Sequence, residues 1–266
     1  MIELIIDNNK DVKKIAALEN GKLVEIYEEN EESKHARNEG NIYLGIVKDI
    51  VPGMQAAFVD IGTEKKGFIH VKDVIPQVDE KIEKRIDLKI KDVIKSGQKI
   101  LIQIQKDSND KKGARTSTHI KLAGKYVILM PRTNIVTISQ KVVNEKEKER
   151  LLNIIKTNLP KNTGVIIRTA AENKTEKELV EDLKQLIKKW EKINLKFENG
   201  DNKPQLLFKS PSIIEKLILD LPENKIEKII VNNQEESDEI KEILTETHEN
   251  IKIEIEQNLL DRKSTR

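Results

Sequence analysis

The chain has 266 residues, of which 37% are hydrophobic and 35% charged, with 48 Lys and Arg against 46 Asp and Glu and no cysteine. This composition supplies enough apolar sequence for packed cores and excludes a wholly disordered chain. The lack of cysteine excludes disulfides, thiolate zinc sites and cysteine nucleophiles from this sequence. No run approaches the roughly 18 apolar residues that a membrane span needs, and the first residues lack a cationic secretion signal. We therefore expect a cytoplasmic protein.

Charge is distributed unevenly along the chain. Residues 41–120 carry a formal charge of +4 and residues 121–190 one of +7, whereas residues 1–40 carry −4 and residues 191–266 carry −5. A basic centre suits a polyanionic partner, because cationic side chains neutralise phosphates and release their counterions. Chance variation in a sequence rich in Lys and Glu explains the same pattern, so charge alone leaves both interpretations open.

The first half of the chain has strand patterns. Residues 1–30 alternate apolar and polar positions around Asn20–Gly21, which predicts a meander of strands with a hairpin turn. Residues 41–119 contain about five short, β-branched runs separated by turn signals, and these fit a small closed barrel of the oligonucleotide-binding (OB) type. A polar, Lys- and Asp-rich connection between Val71 and Gly97 interrupts this predicted barrel.

The second half mixes strands with helices. Residues 120–190 contain strand patterns and two amphipathic helices, predicted over 143–158 and 175–193, with Thr175 as the N-cap of the second. Residues 205–257 then alternate strand, helix, strand, helix and strand. This order predicts one small α/β unit for that segment.

Two phenylalanines stand on neighbouring predicted strands of the barrel. Phe58 and Phe68 are two of only four Phe in the chain, and Lys65, Lys66 and Lys72 surround them. Exposed rings beside cations form a stacking platform for unpaired bases, at about 1–3 kcal/mol per stacked base. The alternative is that both rings belong to the core.

Basic residues follow the last predicted strand of the barrel. Lys106, Lys111 and Lys112 lead into Gly113, and their ammonium groups are suited to backbone phosphates. An ordinary solvated loop is the alternative for these lysines.

An apolar strand further along ends in Arg168 and Thr169. A guanidinium holds a terminal phosphate through two parallel hydrogen bonds, and a neighbouring hydroxyl or backbone N–H adds a third. Gly124 lets a backbone N–H approach an anion closely. A surface ion pair is the alternative for Arg168.

The residues reveal no active site. The four histidines, His35, His70, His119 and His248, are scattered without the spacing of a metal site or a catalytic triad. The nucleophile-elbow, P-loop and HExxH motifs do not occur, and no pair of carboxylates stands out as a cage for a divalent metal.

Three long segments, at 40–74, 111–131 and 166–183, resemble the ribonuclease E/G family. The first is similar to that family's S1-like RNA-binding domain, and the other two run through its 5′ sensor. The resemblance implies an α+β, multidomain fold, in which a five-stranded OB-type barrel and a 5′-sensor α/β region are inserted into an RNase H-like subdomain. The implied parts are an RNase H-like segment at 1–38, the S1-like domain at 39–119, the 5′-sensor region at 120–190, a second RNase H-like segment at 191–260 and a tail at 261–266.

The resemblance also implies which residues contact RNA. It assigns the aromatic platform and its backbone contacts to Phe58, Phe68 and Lys112, and we add Lys106 to that surface. It assigns the pocket for a 5′-monophosphate to Gly124, Ile128, Arg168 and Thr169. The family usually has Val where Ile128 stands, a small change that leaves a backbone contact possible.

The activity that the resemblance implies is endoribonucleolytic cleavage of single-stranded, often A/U-rich RNA in RNA decay and in ribosomal and transfer RNA maturation. In the family, catalysis belongs to a following DNase I-like domain that handles Mg²⁺, and a Cys-rich zinc link joins protomers into a homo-oligomer. Neither element is expected in this sequence. We therefore expect the chain itself to bind single-stranded RNA, preferably 5′-monophosphorylated, without a cofactor and without cutting it.

Two alternatives stay open. One is a naturally short, non-catalytic RNA-binding regulator, and the other is a scaffold whose basic centre contacts an acidic protein. The last six residues, DRKSTR at 261–266, resemble the in-frame translation of a sequencing adapter. This resemblance favours a truncated fragment with an artefactual or disordered tail.

Overall fold

The structure, a computed structural model, describes residues 1–9, 12–30, 38–75, 88–109, 111–220, 226–247 and 251–256. The chain divides into two compact units, one of Met1–Arg37 with Pro211–Arg266 and one of Asn38–Ser210. The predicted tail at 261–266, His35 and His248 lie outside the described residues.

The strands within the described residues are β1 (Ile2–Asn9), β2 (Val12–Glu19), β3 (Lys22–Asn30), β4 (Ile42–Val51), β5 (Ala56–Asp60), β6 (Gly67–His70), β7 (Lys99–Lys106), β8 (Arg115–Ser117), β9 (Leu122–Ala123), β10 (Val127–Pro131), β11 (Val136–Ile138), β12 (Thr163–Ile167), β13 (Gln205–Phe208), β14 (Ile226–Val231) and β15 (Lys252–Ile255). The α-helices are α1 (Ile90–Val93), α2 (Glu145–Asn158), α3 (Glu176–Asn199), α4 (Ile213–Asp220) and α5 (Gln234–Thr247).

The unit built from both ends of the chain contains a five-stranded sheet in the order β15–β14–β1–β2–β3. Strands β1, β2 and β3 are antiparallel neighbours. The predicted turn between β2 and β3 is confirmed, because Asn20 and Gly21 both have positive φ, at 51° and 76°, as a tight hairpin turn requires. β14 and β15 run parallel to β1 and to each other, and the apolar faces of α4 and α5 share a core with this sheet.

The other unit contains a closed barrel of five strands in the order β4–β5–β6–β8–β7, which an antiparallel pairing of β7 with β4 completes. Its interior is filled by β-branched side chains that alternate along the strands, among them Val47, Val59, Ile69 and Ile102. The predicted OB-type barrel, and with it the mixed α+β, multidomain fold class, is confirmed.

Residues after the barrel form a four-stranded sheet in the order β11–β12–β10–β9, against which α2 and α3 pack. Leu129 and Val165 from the sheet, and Leu151 and Leu183 from the helices, are buried in one core. The predicted N-cap Thr175 is confirmed, since its side chain accepts a hydrogen bond from the Glu178 N–H.

One strand belongs to a different unit from the one that the sequence pattern predicts. β13 pairs antiparallel with β4 and adds a sixth strand to the barrel sheet, so it does not belong to the α/β unit predicted over 205–257. The boundary predicted at residue 191 also differs from the structure, because α3 continues to Asn199 and the compact unit ends at Ser210. The physical reason is that the apolar stripe of α3, which includes Ile193, stays in the core across that point.

Candidate nucleic-acid interface

The two predicted platform residues lie side by side on the outside of the barrel. Phe58 in β5 is the register partner of Phe68 in β6, and their ring centroids are 5.9 Å apart with the planes at 67°. The residues on either side of each ring in its strand are buried, whereas both rings are half-exposed. Strand alternation therefore turns the rings away from the core.

Register extends this pair into a row of side chains across five strands. Asp49 in β4 pairs with Phe58, Phe68 pairs with Arg115 in β8, and Arg115 pairs with Lys106 in β7. We call these five residues the platform row. Arg115 was missed in the sequence analysis, because only the register of β8 with β6 and β7 brings it next to the rings.

Exposed ion pairs hold two cations beside the rings. Lys66 Nζ lies 2.7 Å from Asp49 Oδ2, and Arg115 Nη2 lies 3.0 Å from Asp73 Oδ2. Solvent-exposed pairs of this kind contribute at most about 1 kcal/mol. Phosphate oxygens can therefore replace these carboxylates at small cost.

A tight loop places Lys112 next to the barrel face. The Asn109 side-chain oxygen accepts hydrogen bonds from the backbone N–H groups of Lys111 and Lys112, at 3.0 and 2.8 Å. Only glycine fits at position 113, since a Cβ there would lie 1.9 Å from the Lys66 carbonyl oxygen. The backbone of this loop thus packs against the residue that precedes β6, and Lys111 and Lys112 beside it are exposed.

Three of the four predicted 5′-phosphate residues, Gly124, Arg168 and Thr169, lie close together at the end of β12. Arg168 Nη1 donates to the Gly124 carbonyl at 2.8 Å, and Arg168 N donates to the Tyr126 carbonyl at 2.9 Å. Thr169 begins a 3₁₀ turn, and its hydroxyl lies 3.1 Å from that of Ser139. We call Arg168, Thr169 and the Gly124 carbonyl the sensor turn, after the role that the family resemblance predicts for these residues.

The fourth predicted residue, Ile128, lies within strand β10. It is half-buried in β10, opposite Ile166 in β12 and Ala123 in β9. The structure brings Gly124 and Arg168 into direct contact, while Ile128 belongs to the strand that follows the Gly124 turn.

An internal carboxylate meets the turn that follows Gly124. Asp182 in α3 accepts hydrogen bonds from the backbone N–H groups of Lys125, Tyr126 and Val127, at 3.1, 2.8 and 3.1 Å. A Cβ on Gly124 would lie 2.6 Å from Asp182 Oδ1. The carboxylate thus lies close to Gly124 but binds the three residues after it, because the Gly124 N–H itself donates to the Val127 carbonyl at 2.8 Å. The sequence pattern did not indicate Asp182, because it lies far along the chain.

Two lysines add positive charge around the same turn. The ammonium of Lys125 lies 5.5 Å from the centroid of the Tyr126 ring, and that of Lys174 lies 5.3 Å from it. Cations within about 6 Å of a ring centroid are attracted by the negative face of the ring. Both ammonium groups thus lie near the Tyr126 ring, and that of Lys174 is also paired with Glu178 at 3.3 Å.

Two side chains of α2, Glu147 and Arg150, bind the backbone of the segment between the sensor turn and α3. Glu147 accepts hydrogen bonds from Arg150, at 2.7 and 2.8 Å, and from the Asn173 N–H, at 2.9 Å. Arg150 also donates to the Lys174 carbonyl at 2.9 Å. The hydrogen bond from Arg150 and that from Asn173 lower the pKa of Glu147 to about 2, and those from the Thr175 backbone and side chain do the same for Glu178.

The described residues contain neither a metal-binding cluster of side chains nor a helix suited to span a membrane. No group of three or more His, Cys, Asp or Glu side chains in that part of the chain is placed to hold a metal ion. The residues described thus do not fit the Mg²⁺ or Zn²⁺ that the family resemblance implies for the full-length protein. None of the helices described has the length and apolar character to cross a membrane.

The barrel, and the chain that follows it, each match the model of a known protein family. Residues 37–117 match the model of the S1 RNA binding domain, and residues 121–264 match that of the ribonuclease E/G family. The barrel and this match define an RNA-binding protein of the OB class. The chain belongs to the ribonuclease E/G family.

Similar proteins are named ribonuclease G or ribonuclease E. The chain is 32% identical to ribonuclease G of Haemophilus influenzae over 92% of its own length and 50% of the relative. It is 32% identical to ribonuclease G of Escherichia coli strain K12 over 87% of its length and 48% of the relative. It is 35% identical to ribonuclease E of Nostoc sp. over 77% of its length and 29% of the relative. The chain thus spans about half the length of the ribonuclease G relatives.

Proposed function

We propose that Asn38–Ser210 is the RNA-recognition part of an endoribonuclease, which grips single-stranded RNA on the barrel and recognises a 5′-monophosphate at the sensor turn. The platform row supports this function most directly. It places two outward-facing rings next to Arg115 and Lys106 on one face of an S1-type barrel.

On the barrel, the rings of Phe58 and Phe68 stack unpaired bases, at about 1–3 kcal/mol per base. Lys106 and Lys112 are exposed on the same domain and contact the phosphates of the strand. Because stacking needs a splayed base and every base has a π-face, this surface selects single strands with little sequence preference.

At the sensor turn, the Arg168 guanidinium and the Thr169 hydroxyl bind one terminal phosphate. The Gly124 carbonyl orients the guanidinium through its hydrogen bond at 2.8 Å. A 5′-triphosphate binds less well to a turn matched to one phosphate, and a 5′-hydroxyl lacks the charge altogether.

Cleavage itself we propose for the whole protein, in keeping with the names of its relatives, and assign to none of the described residues. Mg²⁺ dependence, assembly into homo-oligomers and a cytoplasmic location likewise stay predictions from the family resemblance.

Binding to matched RNAs tests this function. We use three RNA 12-mers of one sequence, each with a fluorescent label at the 3′ end. They differ only at the 5′ end, which is a monophosphate, a triphosphate or a hydroxyl. Each RNA is titrated with the chain, and binding is followed by fluorescence anisotropy. We expect salt-dependent binding of all three, tightest for the monophosphate. Equal affinity for the three ends contradicts the sensor role, and no binding in dilute buffer contradicts the function as a whole.

A further inference from the structure

A cavity of about 310 Å³ lies between the barrel and the four-stranded sheet that follows it, within the unit formed by Asn38–Ser210. Its volume is at the lower end of the range of roughly 300–1,000 Å³ found for small-ligand pockets. Its wall comes from strands β7 and β8, from the segment after β8 and from β10 with the loop that follows it. We propose that this cavity binds one unpaired nucleobase of the RNA strand that lies on the platform row.

The polar wall of the cavity suits the edge of a base. Gln105 and His119 both line it and are half-exposed, and no hydrogen bond joins either side chain to another described residue. Burial lowers the pKa of His119, against the opposing charge of Asp73, which favours the neutral imidazole. A neutral imidazole and a carboxamide each present one donor face and one acceptor face, as recognition of a base edge requires.

Hydrogen bonds of Ser117 hold the backbone on one side of the cavity in place. The Ser117 hydroxyl donates to the Asp73 carbonyl at 2.9 Å and accepts from the His119 N–H at 3.0 Å. These bonds tie the segment that carries His119 to the turn that carries Asp73. A base entering the cavity therefore meets prepositioned partners, which lowers the entropy cost of binding.

The apolar wall suits the flat face of a base. Ile120 and Met130 are buried, at 2% and 8% exposure, while Ile135 at the rim is 61% exposed. Val165 N donates to the Ile135 carbonyl at 2.8 Å, which holds the backbone of this rim in place. A base inserted here covers an isoleucine that solvent otherwise surrounds.

Asp73 connects the cavity to the platform row. Asp73 lines the cavity, and its carboxylate binds Arg115, the row member next to Phe68. A strand whose bases stack on the rings and whose phosphate replaces the carboxylate at Arg115 brings its next nucleotide to the cavity mouth. This inference rests on the proposed function of the barrel, and it adds a position at which base identity affects affinity.

Homopolymer binding tests the cavity. The affinities of 3′-labelled A, C and U 12-mers are measured for the full chain and for the variants Gln105→Ala and Ile135→Ser, with Gln185→Ala on the exposed side of α3 as the matched control. We expect the unmodified chain to discriminate among the three RNAs. Each cavity variant should reduce the ratio between the tightest and the weakest by about threefold to tenfold, the effect of one or two hydrogen bonds or of an apolar contact, and Gln185→Ala should leave it unchanged.

The outcomes separate the cavity from the barrel. Normal RNA binding with an undiminished base ratio in both cavity variants overturns the base site and leaves the proposed function intact. Equal affinity of the unmodified chain for the three homopolymers also overturns it. Failure of the unmodified chain to bind any of them overturns the proposed function and the base site together.

Discussion

The platform row and the sensor turn present cationic and hydrogen-bonding groups by different structural means. In the row, neighbouring strands place Phe58, Phe68, Arg115 and Lys106 side by side through backbone register alone. In the sensor turn, Arg168 is positioned by contacts with a loop 44 residues earlier, and that loop is in turn held by Asp182 of α3.

The difference determines how each region responds to substitution. Side chains of the row point away from the barrel core, so they can be removed with little effect on folding. The groups that support the sensor turn hold the backbone itself, so their removal affects folding and binding together.

Removing both rings gives the largest expected effect on binding. For the double variant Phe58→Ala with Phe68→Ala, we expect RNA affinity to fall by about 2–4 kcal/mol, given about 1–3 kcal/mol per stacked base. Preference for a 5′-monophosphate should be retained, because the sensor turn is untouched. Anisotropy with matched RNAs measures both quantities, and unchanged affinity would exclude the platform.

Substitution of Arg168 should reduce the preference for a 5′-monophosphate and leave the general affinity for RNA almost unchanged. Arg168→Ala is expected to reduce discrimination between 5′-monophosphate and 5′-hydroxyl RNA by about 1.5–3 kcal/mol, the contribution of hydrogen bonds to a charged group. Affinity for 5′-hydroxyl RNA should change little. Arg132→Ala is not a suitable control, because Arg132 is packed over Trp190, whereas Lys141→Ala, at an exposed position, provides one.

Asp182 tests whether the sensor turn depends on an internal anion. Asp182→Ala leaves three backbone N–H groups without their acceptor, and we expect the free energy of unfolding to fall by about 1–3 kcal/mol, together with a loss of 5′-end preference. Asp182→Asn keeps one oxygen acceptor and should lose less. A chain with Asp182→Ala that keeps both its stability and its end preference would contradict this support.

Acid should weaken the segment that follows the sensor turn. The folded-state pKa values of Glu147 and Glu178, both about 2, lie below the ordinary value of 4.5. Their stabilising contribution is therefore complete above about pH 4.5 and is lost as the pH falls through about 2.

The corresponding variant is Glu147→Gln with Glu178→Gln. Its free energy of unfolding should vary less between pH 5 and pH 2.5 than that of the unmodified chain, as followed by urea denaturation. Glu149→Gln, on the exposed side of α2, is the control. Identical pH dependence of the double variant and the unmodified chain would show that these carboxylates contribute nothing to stability.

The sequence predicts a feature well when the residues that form it are close together along the chain, and poorly when they are far apart. Local signals were sufficient for the outward rings, since alternation within β5 and β6 fixes their direction, and for the Thr175 cap, whose partner Glu178 lies three residues away. They were not sufficient for Arg115 or Asp182, which reach their partners only through register or helix packing. The same limit explains β13, whose strand pattern was recognised but whose pairing with β4 is a tertiary contact.

One measurement tests the platform row and the sensor turn together. Affinities for 5′-monophosphate and 5′-hydroxyl forms of one single-stranded RNA are compared for the unmodified chain, the double phenylalanine variant and Arg168→Ala. We expect the phenylalanine variant to lose affinity for both RNAs equally, and Arg168→Ala to lose affinity only for the monophosphate. Equal losses for both RNAs in Arg168→Ala, or no loss in the phenylalanine variant, would contradict this expectation.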